Sequence, residues 1–108
     1  MADDAITEQL AALAHPARLD ILKHLSAADT CNCGDVVRVL PYAQSTVSQH
    51  LRVLQEAGLV TRERDGQRSR YALDRAALRL LSQQFEQIID QCCSEKCCVA
   101  ASGTRDND

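Results

Sequence analysis

The chain has 108 residues, a formal net charge of −3, two tyrosines, one phenylalanine, no tryptophan and six cysteines. That length holds one ordinary domain and excludes a second. No apolar run approaches the roughly 20 residues of a membrane span, and Met1-Ala2-Asp3-Asp4 is acidic where a secretory leader is basic, so a cytoplasmic protein with reduced thiols is expected.

Ile6, Leu10 and Leu13 share one helical face, and Pro16 opens a second helix along which Leu19, Leu22 and Leu25 recur at three-residue steps. A polar loop over residues 29–34 leads into a brief helix, Asp35 to Leu40, stopped by Pro41. From Gln44 to Leu54 the apolar stripe Val47, Leu51 and Leu54 leaves a hydrogen-bonding outer face. A short helix, the corner Pro41-Tyr42-Ala43 and this polar-faced helix predict a helix-turn-helix, closed by Gly58 as the C-terminal stop.

The period then changes from helix to strand. Leu59 to Arg64 and Gln67 to Leu73 flank Asp65-Gly66, a short-range hairpin signal. A hairpin with arginines on both arms directly after a recognition helix reads as a wing. Asp74 is placed to cap a final helix whose Leu78, Leu81, Phe85, Ile88 and Cys92 repeat at steps of three and four, the spacing of a helix-packing seam. No later element covers that seam. The expected fold is therefore mainly α with a β-hairpin wing, a winged helix-turn-helix that forms a homodimer through its terminal helices. Residues 1–98 are expected to form the DNA-binding and dimerisation domain, and residues 99–108, small and polar, a disordered tail.

Charge follows the same division. Residues 1–30 and 80–108 each carry five acids and two bases, whereas residues 31–79 carry eight arginines against five acids. Basic charge is concentrated where a duplex would be met. Candidate DNA contacts are Gln44, Ser45, Thr46, Ser48, Gln49, His50 and Arg52 on the second helix of the motif, with Arg62, Arg64, Arg68 and Arg70 on the wing. Some of these would touch only phosphate, which positions without specifying.

Four cysteines cluster in Cys92-Cys93-Ser94-Glu95-Lys96-Cys97-Cys98, and two more stand in Cys31-Asn32-Cys33. Thiolates select soft, thiophilic ions, and vicinal cysteines with a return four or five residues later can gather three sulfurs around one small centre. Cys92, Cys93 and one of Cys97 or Cys98 can supply three within one subunit, with Lys96 favouring the thiolate form. Cys92 also fits the apolar seam as a packing residue, and Cys31 and Cys33 read equally as ligands or as incidental thiols.

The stretches Ala14-His15-Pro16-Ala17-Arg18-Leu19-Asp20-Ile21-Leu22, Gln44 to Leu54, Glu56-Ala57-Gly58-Leu59-Val60 and Arg64-Asp65-Gly66 through Tyr71 closely resemble the ArsR/SmtB family of bacterial metal-sensing repressors. The match spans residues 5–90. It implies a dimeric winged helix-turn-helix that holds operator DNA when empty and releases it when an inducer binds. One family site uses Asp, His and Glu on the final helix for zinc; here that helix region offers Asp74, Glu86 and Asp90, while the histidines are His15, His24 and His50. A second is a Cys-X-Cys pair immediately ahead of an Asp. Cys31 and Cys33 resemble it, but Gly34 intervenes before Asp35 and Val37 stands where a further Cys is often found. A third places neighbouring cysteines at and beyond the end of the final helix, which Cys92, Cys93, Cys97 and Cys98 resemble best.

The expected function is thus a transcriptional repressor released by arsenite or antimonite, with double-stranded operator DNA as partner, no membrane association and no organic cofactor. A redox or persulfide sensor pairing Cys33 with a C-terminal cysteine, and a cadmium or lead sensor recruiting four thiolates, are the alternatives. An enzyme is not expected, since no Cys-X-X-Cys stands in a strand-helix setting and no acid-base pair frames a pocket.

Overall fold

The computed structural model describes residues 2–94 as five helices and one hairpin in the order α1 (Ala2–Leu13), α2 (Pro16–Ser26), α3 (Cys33–Val39), α4 (Gln44–Glu56), β1 (Val60–Asp65), β2 (Arg68–Leu73) and α5 (Arg75–Cys92). Cys97, Cys98 and the expected 99–108 tail lie outside the described residues.

Local chemistry sets the helix ends. His15 caps α2, its Nδ1 accepting from the Ala17 N–H at 3.1 Å, with Pro16 behind it where a missing N–H costs nothing. Asn32 and Asp35 form a reciprocal capping box, which starts α3 at Cys33, two residues earlier than the apolar pattern alone indicates. Asp74 caps α5, its Oδ1 accepting from the Ala77 N–H at 3.0 Å. The N-cap of α4, Ala43, makes no side-chain cap. Tyr42, in the corner before it, donates its hydroxyl to Asp20 at 2.9 Å and ties the turn to α2.

The core is gathered on α4. Val47, Leu51 and Leu54 are fully buried, together with Ile21 and Leu25 of α2, Val36 of α3 and Leu59 ahead of β1. On α2 the buried stripe is Ala17, Ile21 and Leu25, spaced by four, rather than the three leucines spaced by three. Leu19 is 42% exposed, because a three-residue step precesses around a helix of 3.6 residues per turn.

The hairpin is antiparallel, with Arg62 opposite Tyr71, Arg64 opposite Ser69 and Asp65 opposite Arg68. Its turn residues are therefore Gly66 and Gln67, one position later than Asp65-Gly66. Gly66 takes the first place at φ 69°, a left-handed conformation that suits glycine. Gly58 at φ 86° likewise ends α4. Cys31 adds a bridge to the sheet, exchanging backbone bonds of 2.9 and 2.7 Å with Tyr71. Alternation along the strands puts Arg62 and Arg64 on one face of the wing and Arg68 and Arg70 on the other.

Helix α5, 18 residues long, packs against α1, and Leu81 in its first half joins the core at 6% exposed. Beyond that turn its apolar face has no cover among the described residues: Phe85, Ile88 and Ile89 are 43%, 40% and 43% exposed. No helix among the described residues is long and apolar enough to cross a membrane.

Candidate nucleic-acid interface and cysteine sites

Helix α4 turns Ser45, Ser48, Gln49 and Arg52 outward as one stripe, the i, i+3, i+4, i+7 face opposite its buried one. This stripe and Arg62 of β1 line a concavity of about 700 Å³. An adjoining one of about 560 Å³ shares Ser48 and Arg62 and adds Arg38, Gln44 and Arg68. The groove between recognition helix and wing is thus walled mainly by hydroxyl, amide and guanidinium groups, the donors that meet phosphates and base edges, with Glu56 the acidic residue among them.

Individual arginines differ in how firmly they are held. Arg62 donates from Nε to Ser69 Oγ at 2.9 Å, a diagonal cross-strand bond that keeps it over the groove. Arg52 lies 3.7 Å from Glu56, but both side chains are more than two-thirds exposed, so this pair is worth at most about 0.5 kcal/mol and leaves Arg52 free to turn to a phosphate. Arg70 reaches Thr30 Oγ1 at 3.4 Å, on the opposite face of the wing. Arg64 is exposed beside Arg62 on the groove-side face, Gln44 stands exposed at the first turn of α4, and Thr46 is half-buried.

His50 departs from the expected set. It is 8% exposed, faces α2 and accepts a hydrogen bond from Arg18. Positions 47, 50, 51 and 54 form one stripe at steps of three and four, so His50 belongs to the buried face of α4. Arg38 and Gln67, absent from the candidate contacts, line the groove. Arg38 is held by Asp35 at 2.7 Å; its signal is the arginine count of the central segment, which has no geometry until α3 is placed against α4.

The helix-turn-helix domain family matches residues 13–63. The arsenical resistance operon repressor of Staphylococcus xylosus is 34% identical over 89 residues, covering 81% of this chain and 85% of that protein. The chain belongs to the ArsR/SmtB family of DNA-binding transcriptional regulators. The SmtB repressor of Mycobacterium tuberculosis is 43% identical over 70 residues, 65% of this chain, and this match spans about half, 51%, of that relative. A homodimeric winged helix-turn-helix DNA-binding domain from Mycobacterium bovis, described as a possible ArsR-family regulator, superposes with a TM-score of 0.66 at 26% identity, covering 86% of this chain and 84% of that one.

As an ArsR/SmtB regulator the chain is distinguished by its cysteines, which fall into two environments. Cys31 is buried, and its thiol pKa is pushed up by burial and by the negative charge of Asp35. Cys33 opens α3 half-buried; burial raises its pKa too, and its Sγ lies 3.6 Å from the Gln44 carbonyl. Both are held toward the protonated thiol, which is a poor ligand. Cys92 and Cys93, the last residue of α5 and its C-cap, are exposed at the end of the uncovered apolar face. Asp74 and Asp90 lie 16 residues apart on or next to one helix, on the order of 24 Å at 1.5 Å per residue, too far to join in one site within a subunit. Among the described residues no group of three or more His, Cys, Asp or Glu is arranged to hold a metal ion; Cys97 and Cys98 fall outside that set.

Proposed function

We propose that this chain is a homodimeric operator-binding repressor released when trivalent arsenic or antimony is bound by the thiolates of Cys92, Cys93 and one of Cys97 or Cys98. In this reading Ser45, Ser48, Gln49 and Arg52 enter the major groove, while Arg62 and Arg64 meet backbone phosphates from the wing. The observation that carries the inducer site is the position of Cys92 and Cys93. They stand exposed at the end of the one helix whose apolar face lacks a cover within the described chain. A ligand that draws the chain back upon this end reorders the surface on which a second subunit would sit. The resting state of the other pair supports the same choice, since Cys31 and Cys33 would first have to give up protons that burial favours.

The homodimeric neighbour supports a pairing of subunits, and the arsenical resistance repressor supports a metalloid inducer. A coupling of about 1–3 kcal/mol between the sites lowers operator affinity roughly 5- to 150-fold. Fluorescence anisotropy of labelled operator, with reduced protein titrated by arsenite, antimonite, cadmium and an organic persulfide, tests this. The expected outcome is release by arsenite or antimonite near one equivalent per subunit, abolished in the Cys92→Ser/Cys93→Ser variant while operator affinity without inducer is kept. Normal release of that variant by arsenite sinks the C-terminal site. Release by persulfide alone keeps the repressor and replaces the metalloid with a redox pair.

A further inference from the structure

Arg18 sits where three helices meet. It is the third residue of α2, and its Nη1 donates to the carbonyls of Ala11 and Ala12, at 3.5 and 3.3 Å, in the last turn of α1. Its Nε donates to Nδ1 of His50 on α4 at 3.1 Å. A guanidinium is a donor and nothing else, so this contact requires a lone pair on His50 Nδ1 and assigns the ring proton to Nε2. The imidazole therefore has to be neutral for the bond to exist.

The surroundings of His50 enforce that state. Its ring centroid lies 4.5 Å from that of His15, whose own Nδ1 is engaged by the Ala17 N–H. Burial, His15 and Arg18, in that order, hold its pKa below the usual imidazole range. The charged and titratable groups set against it are Arg18 and His15 from the start of α2. Glu8 of α1 and Glu56 of α4 line a shallow cavity of about 270 Å³ with Arg18 and are the acidic groups on this side. A proton placed on Nδ1 removes the only acceptor that α4 offers to Arg18 among these bonds and sets an imidazolium against a guanidinium.

We propose that Arg18 and His50 form a proton-sensitive joint that positions the recognition helix against α1 and α2, so that protonating His50 loosens α4 and weakens operator binding. The proposal rests on the reading of α4 as the operator-binding helix. His50 is a positioning residue here, acting on the DNA-facing stripe from the opposite side of its own helix. Because the folded domain holds the His50 pKa below the ordinary imidazole value of about 6.5, the ring is neutral and the joint intact at and above that pH, and the joint is lost as the pH falls through the lowered value.

The test is operator anisotropy at constant ionic strength from about pH 7.5 to about pH 5.5, using the full chain, His50→Asn and His15→Asn. Asparagine places an oxygen acceptor near the Nδ1 position and does not titrate. His15→Asn keeps a good helix cap and removes the neighbouring imidazole. The wild-type chain is expected to lose about tenfold in affinity over this range, the scale of one hydrogen bond to a charged partner. His50→Asn should hold its affinity across the range, whereas His15→Asn should retain the acid loss. An acid loss in His50→Asn equal to that of the wild type overturns the joint. Should His50→Asn fail to fold, nitrogen NMR of the wild-type histidines decides. A neutral His50 ring at neutral pH with its proton on Nε2 supports the joint, and a protonated ring or a proton on Nδ1 overturns it. Absence of operator binding by the wild type near pH 7.5 defeats the operator reading instead, and the NMR measurement still judges the contact.

Discussion

Helices α4 and α5 are both strongly amphipathic, yet they meet different fates in the fold. The apolar face of α4 is closed within the chain: Val47, Leu51 and Leu54 are fully buried and His50 nearly so. The face of α5 is closed only as far as Leu81, after which Phe85, Ile88 and Ile89 remain about two-fifths exposed. The same pattern in sequence therefore does two jobs. One stripe builds the domain and fixes the recognition helix; the other leaves apolar area open to a partner chain. An inducer site next to the open stripe, as proposed for Cys92 and Cys93, acts on assembly without unpacking the core.

This contrast predicts that truncations on the two helices separate cleanly. Leu51→Ala removes a fully buried side chain and should cost about 2–5 kcal/mol of folding stability, measured by urea unfolding, with the spread set by how far the cavity collapses. Phe85→Ala should cost the isolated fold much less. Closing the exposed two-fifths of one large side chain is worth roughly 1 kcal/mol, and two-fold symmetry counts it twice, so the dimer dissociation constant should rise about 30-fold in sedimentation equilibrium. If Phe85→Ala instead lowers folding stability as much as Leu51→Ala and leaves assembly unchanged, the open stripe is not a dimer surface.

Much of the fold is legible in the sequence because period and punctuation agree. The step from the 3.6-residue pattern of 44–56 to the hairpin, with Gly58 and Gly66 at the breaks, locates α4 and the wing within a residue or two. Sequence misleads where one pattern admits two solutions. Three leucines at steps of three on α2 imitate a face, but Ala17, Ile21 and Leu25 are the ones that reach the core. His50 looks polar and hence outward, although its spacing from Val47 and Leu54 puts it inside, where Arg18 satisfies it. That partner lies 32 positions away in sequence, beyond the reach of any local pattern. The wing turn sits one residue later than expected, since Asp-Gly and Gly-Gln both suit a two-residue loop. Pairing across the strands, which sequence does not report, decides between them.

The two faces of α4 supply the smallest and sharpest effect. Arg52 is exposed, and its pair with Glu56 at 3.7 Å is worth at most about 0.5 kcal/mol, so Arg52→Ala should leave urea unfolding nearly unmoved. Operator binding should respond differently, and its salt dependence tells whether Arg52 meets a phosphate or a base. A phosphate contact contributes about 0.9 to the slope of log affinity against log salt, so its removal should flatten that slope by roughly one per subunit and weaken all sequences alike. A base contact should leave the slope in place and relax discrimination at one operator position, by about 1–3 kcal/mol. An Arg52→Ala protein that changes neither slope nor discrimination would place Arg52 outside the interface. The DNA-reading stripe would then end at Gln49, on the N-terminal half of the helix.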